Sequence, residues 1–521
     1  MDSIALSVFA SRIEAVCDEM GAVLKRVAFS PNIKDRLDFS CAVFDVDGEL
    51  CAQAAHIPVH LGSMAYAAKD IVRNLHWQPG DMVVLNDPYL GGTHLPDITL
   101  LAPLFHDNRL CGFVANRAHH ADIGASSPGS MPVSSHLDEE GLLIPPSHLL
   151  RNDQLDETLM QNILGALQNP LQSHGDFSAQ ISANRRGLLR LTELLQQMGR
   201  DNYLQALQAL NDYAARLAQQ AMQQIPDGVY HFRDVMDDDG QGQTDLPIET
   251  CIRIQAGRVE VDFSGTAAQV KGNINCPLSV AAAAVFYVFR CFLPDNAPAC
   301  AGSFRHIHLS APVGCLLNAQ RPAAVSAGNV ETSSRVVDVV LGALAQAVID
   351  KIPAASHGGM NNLAMGAAAT GQQAAWDYYE TMGGGMGGNA LYDGLSGVQT
   401  HMTNTLNTPL EVLEMNYPLR INRYSLRTDS AGTGVHHGGE GIERSYTLLS
   451  DCHVTVLSER RSHAPWGIEA GKIQTDKDHK SSGAPGENRV NGELYPAKFS
   501  ARLRAGDVVT IKTPGGGGYT A

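Results

Sequence analysis

Short, continuous apolar runs set between turn-forming clusters dominate the first part of the chain. Residues 82–85, 98–101 and 110–115 have no polar alternation, the pattern of strands covered on both faces. Residues 40–44 read as a further strand. Ahead of them Ile13, Val16, Met20, Val23, Leu24 and Val27 mark one face of an opening helix. Between 152 and 224 the apolar spacing turns helical, through Leu188, Leu191, Leu194 and Leu195 and then Leu204, Leu207, Leu210, Tyr213 and Leu217. That spacing predicts a helical hairpin or long helices packed on the sheet. A turn at 225–228 opens a section in which 229–232, 248–255 and 259–263 alternate like antiparallel strands. Helices are expected over 281–292 and 332–348, and beyond about residue 375 glycine and β-branched residues dominate.

The pattern predicts a mixed α/β (α+β), multi-domain chain with metal-site loops at strand ends, a helical insertion, and strand-rich central and C-terminal parts. The expected divisions are 1–150 (an α/β region carrying the site), 151–225 (helical), 226–400 (mixed α/β) and 401–521 (β-rich). The length of 521 residues, 44% apolar and 18% charged, suits two or three domains. A net charge of −16 argues against nucleic acid or an anionic membrane as partner. The first residues lack a basic stretch followed by an apolar core, so no signal peptide is expected. The apolar run 281–288 ends at Arg290 and is too short to span a bilayer. Ten scattered cysteines without a C-x-x-C pair read as reduced thiols, which places the protein in the cytoplasm.

Candidate chemistry concentrates between residues 80 and 132. The loop after the first strand reads Asn86-Asp87-Pro88-Tyr89-Leu90-Gly91-Gly92-Thr93-His94-Leu95-Pro96-Asp97, and the third strand runs into Arg117-Ala118-His119-His120-Ala121-Asp122. Two prolines and a Gly-Gly pair keep the loop irregular, so metal-binding groups emerge at the ends of neighbouring strands. Imidazoles and carboxylates without thiolate suit Mn, Fe or Zn. His94 and Asp97, three apart, can converge in a turn. In extended chain His119 and His120 face opposite ways, so one is expected on the metal and the other on substrate or behind the ligands. Asp122 is a further ligand or an orienting carboxylate. A lone His-x-x-Asp is more often a pair of hydrogen-bonded loop residues; the density of this cluster sets it apart.

Other groups have competing readings. Arg117 presents a planar fork that suits a substrate carboxylate, or a structural salt bridge. Asn86 is grouped with it as substrate-binding. His56 and His60 either line the pocket or hydrogen-bond within a loop, since Pro58 between them argues against a helix. Residues 127–146, rich in turn formers, could cover the site. Asn329 and Glu331 belong either to a site or to a helix cap. The stretch Asp45-Val46-Asp47-Gly48 imitates a phosphatase signature, but a hairpin turn accounts for it better. The glycine runs at 383–388 and 515–518 lack a following Lys-Ser/Thr, so packing turns are favoured over phosphate cradles.

NDPYLGGTHLPDITLLAPLF followed by FVANRAHHADIGASSPGSMP resembles the hydantoinase B/oxoprolinase family, as do 32–64, 270–291, 326–347, 380–388 and 513–519, in the expected order. That family includes the B-type subunits of ATP-dependent 5-oxoprolinase and N-methylhydantoinase, and the related acetone carboxylase α subunit. The resemblance implies that ATP is used by a separate A-type subunit with an actin/hexokinase-like fold, which fits the missing Walker motif. The A-type subunit would phosphorylate the amide oxygen, and this chain would open the activated ring, 5-oxoproline giving glutamate. His94, Asp97 and His119 are the expected metal ligands. His119, His120 and Asp122 are the expected catalytic groups, with whichever of His119 and His120 stays off the metal as proton shuttle. The resemblance implies a position for Glu140 close to the active region. Alternatives are hydantoin or N-methylhydantoin hydrolysis, acetone-carboxylase-type carboxylation, and a non-catalytic scaffold for the A-type subunit.

Overall fold

A seven-stranded antiparallel sheet carries the histidine–carboxylate stretch. The computed structural model describes residues 2–55, 57–369 and 374–520. Its first strands are β1 (Phe39–Phe44), β2 (Leu50–Ala55), β3 (Met82–Leu85), β4 (Asp97–His106), β5 (Arg109–His119), β6 (Ser147–Arg151) and β7 (Gln154–Leu155), in the order β2-β1-β5-β4-β3-β6-β7. The three runs expected as strands are β3, β4 and β5, the last two extended by a tight hairpin. Asp107 and Asn108 form its turn, both at positive φ (49° and 58°), which matches the strand twist. The Asp45–Glu49 stretch is likewise a turn: the Asp45 carboxylate accepts from Asp47 N and Glu49 N.

Both faces of this sheet are covered, which explains its unbroken apolar runs. Val83, Leu85, Leu101 and Phe113 point to a cluster beneath helix α3 (His60–Asn74). Met82, Val84, Leu100 and Val114 point the other way, against α1 (Ser3–Val27) and α5 (Pro170–Met198). The short α2 (Pro31–Lys34) leads into β1. The helical region comprises α4 (Glu157–Gly165), α5 and α6 (Arg200–Met222). The last two are split at Gly199, whose φ of 78° breaks the helical path.

A second sheet holds β8 (Gly228–Asp238), β9 (Thr244–Gln255), β10 (Arg258–Asp262) and β11 (Ile307–Ser310), in the order β11-β10-β9-β8. Helices α7 (Leu278–Arg290) and α8 (Ser333–Val348) share its core. A π-helical turn, Gly328–Thr332, leads into α8. The continuous helical stretch Gly328–Lys351 holds a window of mean hydropathy 1.4, long and apolar enough to cross a membrane, yet 78% of that window is buried inside the protein. It is a core helix.

Strands β12 (Asn362–Ala367) and β13 (Trp376–Glu380) join Cys452–Leu457 and Lys498–Leu503 in a third sheet, beside a five-stranded sheet built from Leu419–Arg427 onward. Here the glycine runs bring main chains together. Gly388 N donates to Gly517 O at 2.8 Å and Gly516 N to Gly439 O at 2.9 Å. A β-carbon on Gly385 would stand 2.0 Å from Gly439 O. These glycines are packing positions. All ten cysteines are free thiols.

Candidate metal centre

The β4–β5 register places Asp97, the first residue of β4, opposite His119, the last of β5. The preceding turn folds back through Gly91 (φ 86°) and Gly92, where a β-carbon would meet Asp87 O at 2.5 Å. That turn delivers His94 to the same point. His94 Nε2, Asp97 Oδ1 and His119 Nδ1 form a triangle with all three edges 3.2 Å. Each side chain is 1–2% exposed.

Two donors bound at about 2.1 Å to one ion lie about 3.0 Å apart at a right angle and about 3.4 Å apart at the tetrahedral angle. The observed edges fall between these values. Two further observations fit a divalent cation. His94 Nδ1 faces Ser326 O at 3.4 Å, so a proton there donates to the carbonyl and leaves the Nε2 lone pair facing inward. The buried Asp38 carboxylate lines the same cavity, and its charge favours the protonated forms of His94 and His119. The cavity measures about 10 Å³, room for one water or one ion.

Surrounding groups hold the donors in place. Asp97 Oδ2 receives His60 Nε2 at 3.3 Å and the Thr93 hydroxyl, while His60 Nδ1 lies 3.0 Å from Ser40 Oγ. Asn329 Nδ2 lies 3.2 Å from His94 Nε2. The His119 ring stacks on Tyr379, with centroids 4.6 Å apart and planes at 16°. Burial alone would raise Asp97, but the imidazoles of His94 and His60 hold it well below the usual carboxylate range. Burial pushes His94 down, and the Asp97 carboxylate more than offsets this. For His119 burial wins, leaving it below the ordinary imidazole value.

The structure brings His60, His94, Asp97 and His119 together. His56 lies outside the described residues. The other sequence candidates sit elsewhere. His120 turns to the opposite side, 3.0 Å from Gln180 Oε1 and against Phe177. Asp122 accepts from Gln168 N and Asn169 N just ahead of α5. Arg117 is buried and donates to Thr99 Oγ1, Ser63 Oγ and Gly91 O. Asn86 ties Leu95 O, Leu142 O and Ile144 N together.

Glu140 accepts from Ser134 Oγ, Val325 N and Ser326 N, so it anchors the loop whose carbonyl faces His94. Burial pushes its carboxyl up to about 7. The 127–146 stretch packs between these loops, with Ser134 and Glu140 fully buried. Asn329 enters the centre from the π-helical turn, and α8 has no side-chain cap. Asp38, Thr93 and Tyr379 do not stand out in the sequence. Asp38 lies within the 32–64 block and Thr93 beside His94, whereas Tyr379 carries no local signal.

The family profile described as hydantoinase B/oxoprolinase matches residues 2–521. The chain is 36% identical to 5-oxoprolinase 1 of Arabidopsis thaliana, aligning over 99% of this chain and 42% of that protein. It therefore spans under half the length of that relative. It is 33% identical to a protein of Pseudomonas sp. named as the B-type subunit of a D-/L-hydantoinase, covering all of this chain and 90% of the other. Among solved structures, the ATP-dependent caprolactamase of Pseudomonas jessenii superposes with a TM-score of 0.89 at 27% identity, covering all of this chain and 91% of that one.

Proposed function

The chain belongs to the hydantoinase B/oxoprolinase family, and from that premise we propose that it is the B-type subunit of an ATP-dependent cyclic-amide hydrolase. It opens the phosphorylated lactam ring of 5-oxoproline to glutamate, together with an ATP-using A-type subunit. The Pseudomonas relative is itself named as a B subunit, which supports a partner subunit. The free thiols favour a reducing compartment, the cytoplasm.

The observation that carries this reading is the 3.2 Å triangle of His94, Asp97 and His119. These three would hold the ion, with Asp38 as a further anionic donor facing it. When bound, a Mn, Fe or Zn ion supplies Lewis acidity toward a carbonyl or a water. The chain's own residues do the rest. His60 and Thr93 occupy Asp97 Oδ2 and so aim Oδ1 inward. Tyr379 fixes the plane of His119. The buried apolar side chains of Ile57, Val59, Val330 and Met360 line the cavity and limit the access of bulk water.

Asp38, at the cavity wall, is placed to take a proton from the attacking water. His120 and Asp122 serve the reaction only by supporting the strand end and the loop beside it. Glu140 acts through the Ser326 loop.

Hydantoin hydrolysis is the second reading, and one observation favours it. Arg117 is fully engaged inside the protein, and among the described residues no Lys or Arg lines the cavity to receive a substrate carboxylate. A neutral ring needs none.

The test is coupled turnover of 5-oxoproline and hydantoin by this chain alone, the A-type subunit alone, and the pair. Ring opening by the pair alone is expected. Ring opening by this chain without ATP, or no effect of this chain on its partner's reaction, contradicts the reading.

A further inference from the structure

The wall of the metal cavity contains a short chain of hydrogen bonds with a definite direction. Thr381 and Thr405 both line the cavity, with their Oγ1 atoms 2.7 Å apart. Either hydroxyl could donate to the other, so the remaining partners of Thr381 decide which one does. Arg36 Nη2 lies 3.1 Å from Thr381 Oγ1, and Gln399 Nε2 lies 3.3 Å from it. A guanidinium can only donate. The Gln399 amide is oriented by the same threonine, because its nitrogen also faces Thr381 O at 3.4 Å, an atom that can only accept.

A threonine oxygen has two lone pairs and one proton. Arg36 and Gln399 occupy both lone pairs of Thr381, so its proton goes to Thr405 Oγ1. Thr405 therefore accepts from Thr381, and its hydroxyl has no other hydrogen-bond partner among the described residues. Its own proton is left for an oxygen or anion inside the cavity that Thr405 lines.

Arg36 gives this chain its strength. The guanidinium is fully buried, and its Nη1 donates to Tyr379 O at 2.9 Å, which fixes it behind the cavity wall. A charge at the head of a hydrogen-bonded chain polarises each link, so the last hydroxyl is a stronger donor than an isolated one. Burial keeps the effect from being screened: Thr381 is 1% exposed and Thr405 5%.

We propose that Thr405 is a catalytic hydrogen-bond donor to the attacking water, complementary to Asp38, which lines the same cavity and accepts a proton from that water. As the proton passes to the Asp38 carboxylate, negative charge gathers on the water oxygen and Thr405 stabilises it. The lone pair of that oxygen then attacks the activated ring carbon. The proposal rests on the cyclic-amide reading above.

Fluoride is the probe, an anion of hydroxide size that accepts hydrogen bonds and has no proton to donate. Thr405→Val and Thr405→Ser are compared with the unaltered chain after metal analysis of each sample. A fluoride electrode follows titration of the chain alone, and paired turnover uses the A-type subunit, ATP and 5-oxoproline or hydantoin. Thr405→Val keeps the shape without the hydroxyl. At unchanged metal content it is expected to bind fluoride about tenfold more weakly or worse, and to lose about 100-fold in kcat/KM. Thr405→Ser keeps the hydroxyl and is expected to retain most of both. An active unaltered pair overturns the role of Thr405, and leaves the cyclic-amide reading standing, if its metal-loaded chain takes up no fluoride or if Thr405→Val matches it in affinity and turnover. An unaltered pair that opens neither lactam overturns both.

Discussion

Asn329 Nδ2 reaches to within 3.2 Å of His94 Nε2 across 235 positions of sequence. The contact depends on the π-helical turn Gly328–Thr332, where the wider turn displaces Asn329 from the path an α-helix would give it. Glu331 steadies the turn by accepting from Met360 N at 3.0 Å. An ion on His94 Nε2 displaces an N–H donor from that lone pair, so the carboxamide turns its otherwise unpartnered Oδ1 inward. Asn329→Ala is therefore expected to leave the fold intact and weaken metal binding about tenfold. Competition against a chelator measures this, and unchanged affinity refutes it.

In the proposed metal centre His60 would help set which oxygen of Asp97 faces the ion, sharing Oδ2 with the Thr93 hydroxyl. His60→Ala leaves Thr93 alone on Oδ2, so metal affinity is expected to fall about 10- to 100-fold. Ser40→Ala, which removes only the partner of His60 Nδ1, is expected to cost less. A larger loss from Ser40→Ala than from His60→Ala, in the same chelator competition, contradicts this order.

Parts of this centre are legible in the sequence for a physical reason. The apolar runs of β3, β4 and β5 announce themselves because both faces of the sheet are buried, and the polar residues at their ends stand out against them. His94 and Asp97 share one turn, and strand alternation separates His119 from His120. Asp38, Asn329 and Tyr379 are brought in by tertiary packing from other strands and from a helix entry, and no local period encodes such convergence. Asn329 reads as a possible cap because caps and π-turns use the same residue types. The partners of Arg117 and Asn86 are equally hidden, since a buried polar side chain looks the same in sequence whether it meets backbone or substrate.

Glu140 gives a pH dependence with a definite sign. Its folded carboxyl is pushed up to about 7, from 4.5 in the open chain. Below 4.5 both states hold the proton, and between 4.5 and 7 the folded state keeps one that the unfolded state has lost. Stability from this group therefore falls as pH rises through that window and levels off above it, by up to roughly 3 kcal/mol. Glu140→Gln is expected to flatten this component in urea unfolding from pH 4 to 8. An identical pH slope in the variant contradicts the assignment.

The glycine crossing makes a sharper stability claim. Gly385→Ala places a β-carbon against Gly439 O and Gly516 N, which are main-chain atoms that cannot turn aside. The cost is expected to be about 3 kcal/mol or more. Gly492→Ala meets no neighbour and carries only the left-handed φ of 85°, for a cost of about 1–2 kcal/mol. Denaturant midpoints compare the two directly, and equal shifts would refute backbone crowding at the crossing.

The central claim is that His94, Asp97 and His119 hold one catalytic divalent ion. Its most direct test is elemental analysis of the purified chain and of Asp97→Ala, with paired turnover on the same samples. The account predicts about one Mn, Fe or Zn per unaltered chain, with both metal and turnover lost in the variant. A metal-free chain that still supports full turnover with its partner would contradict it.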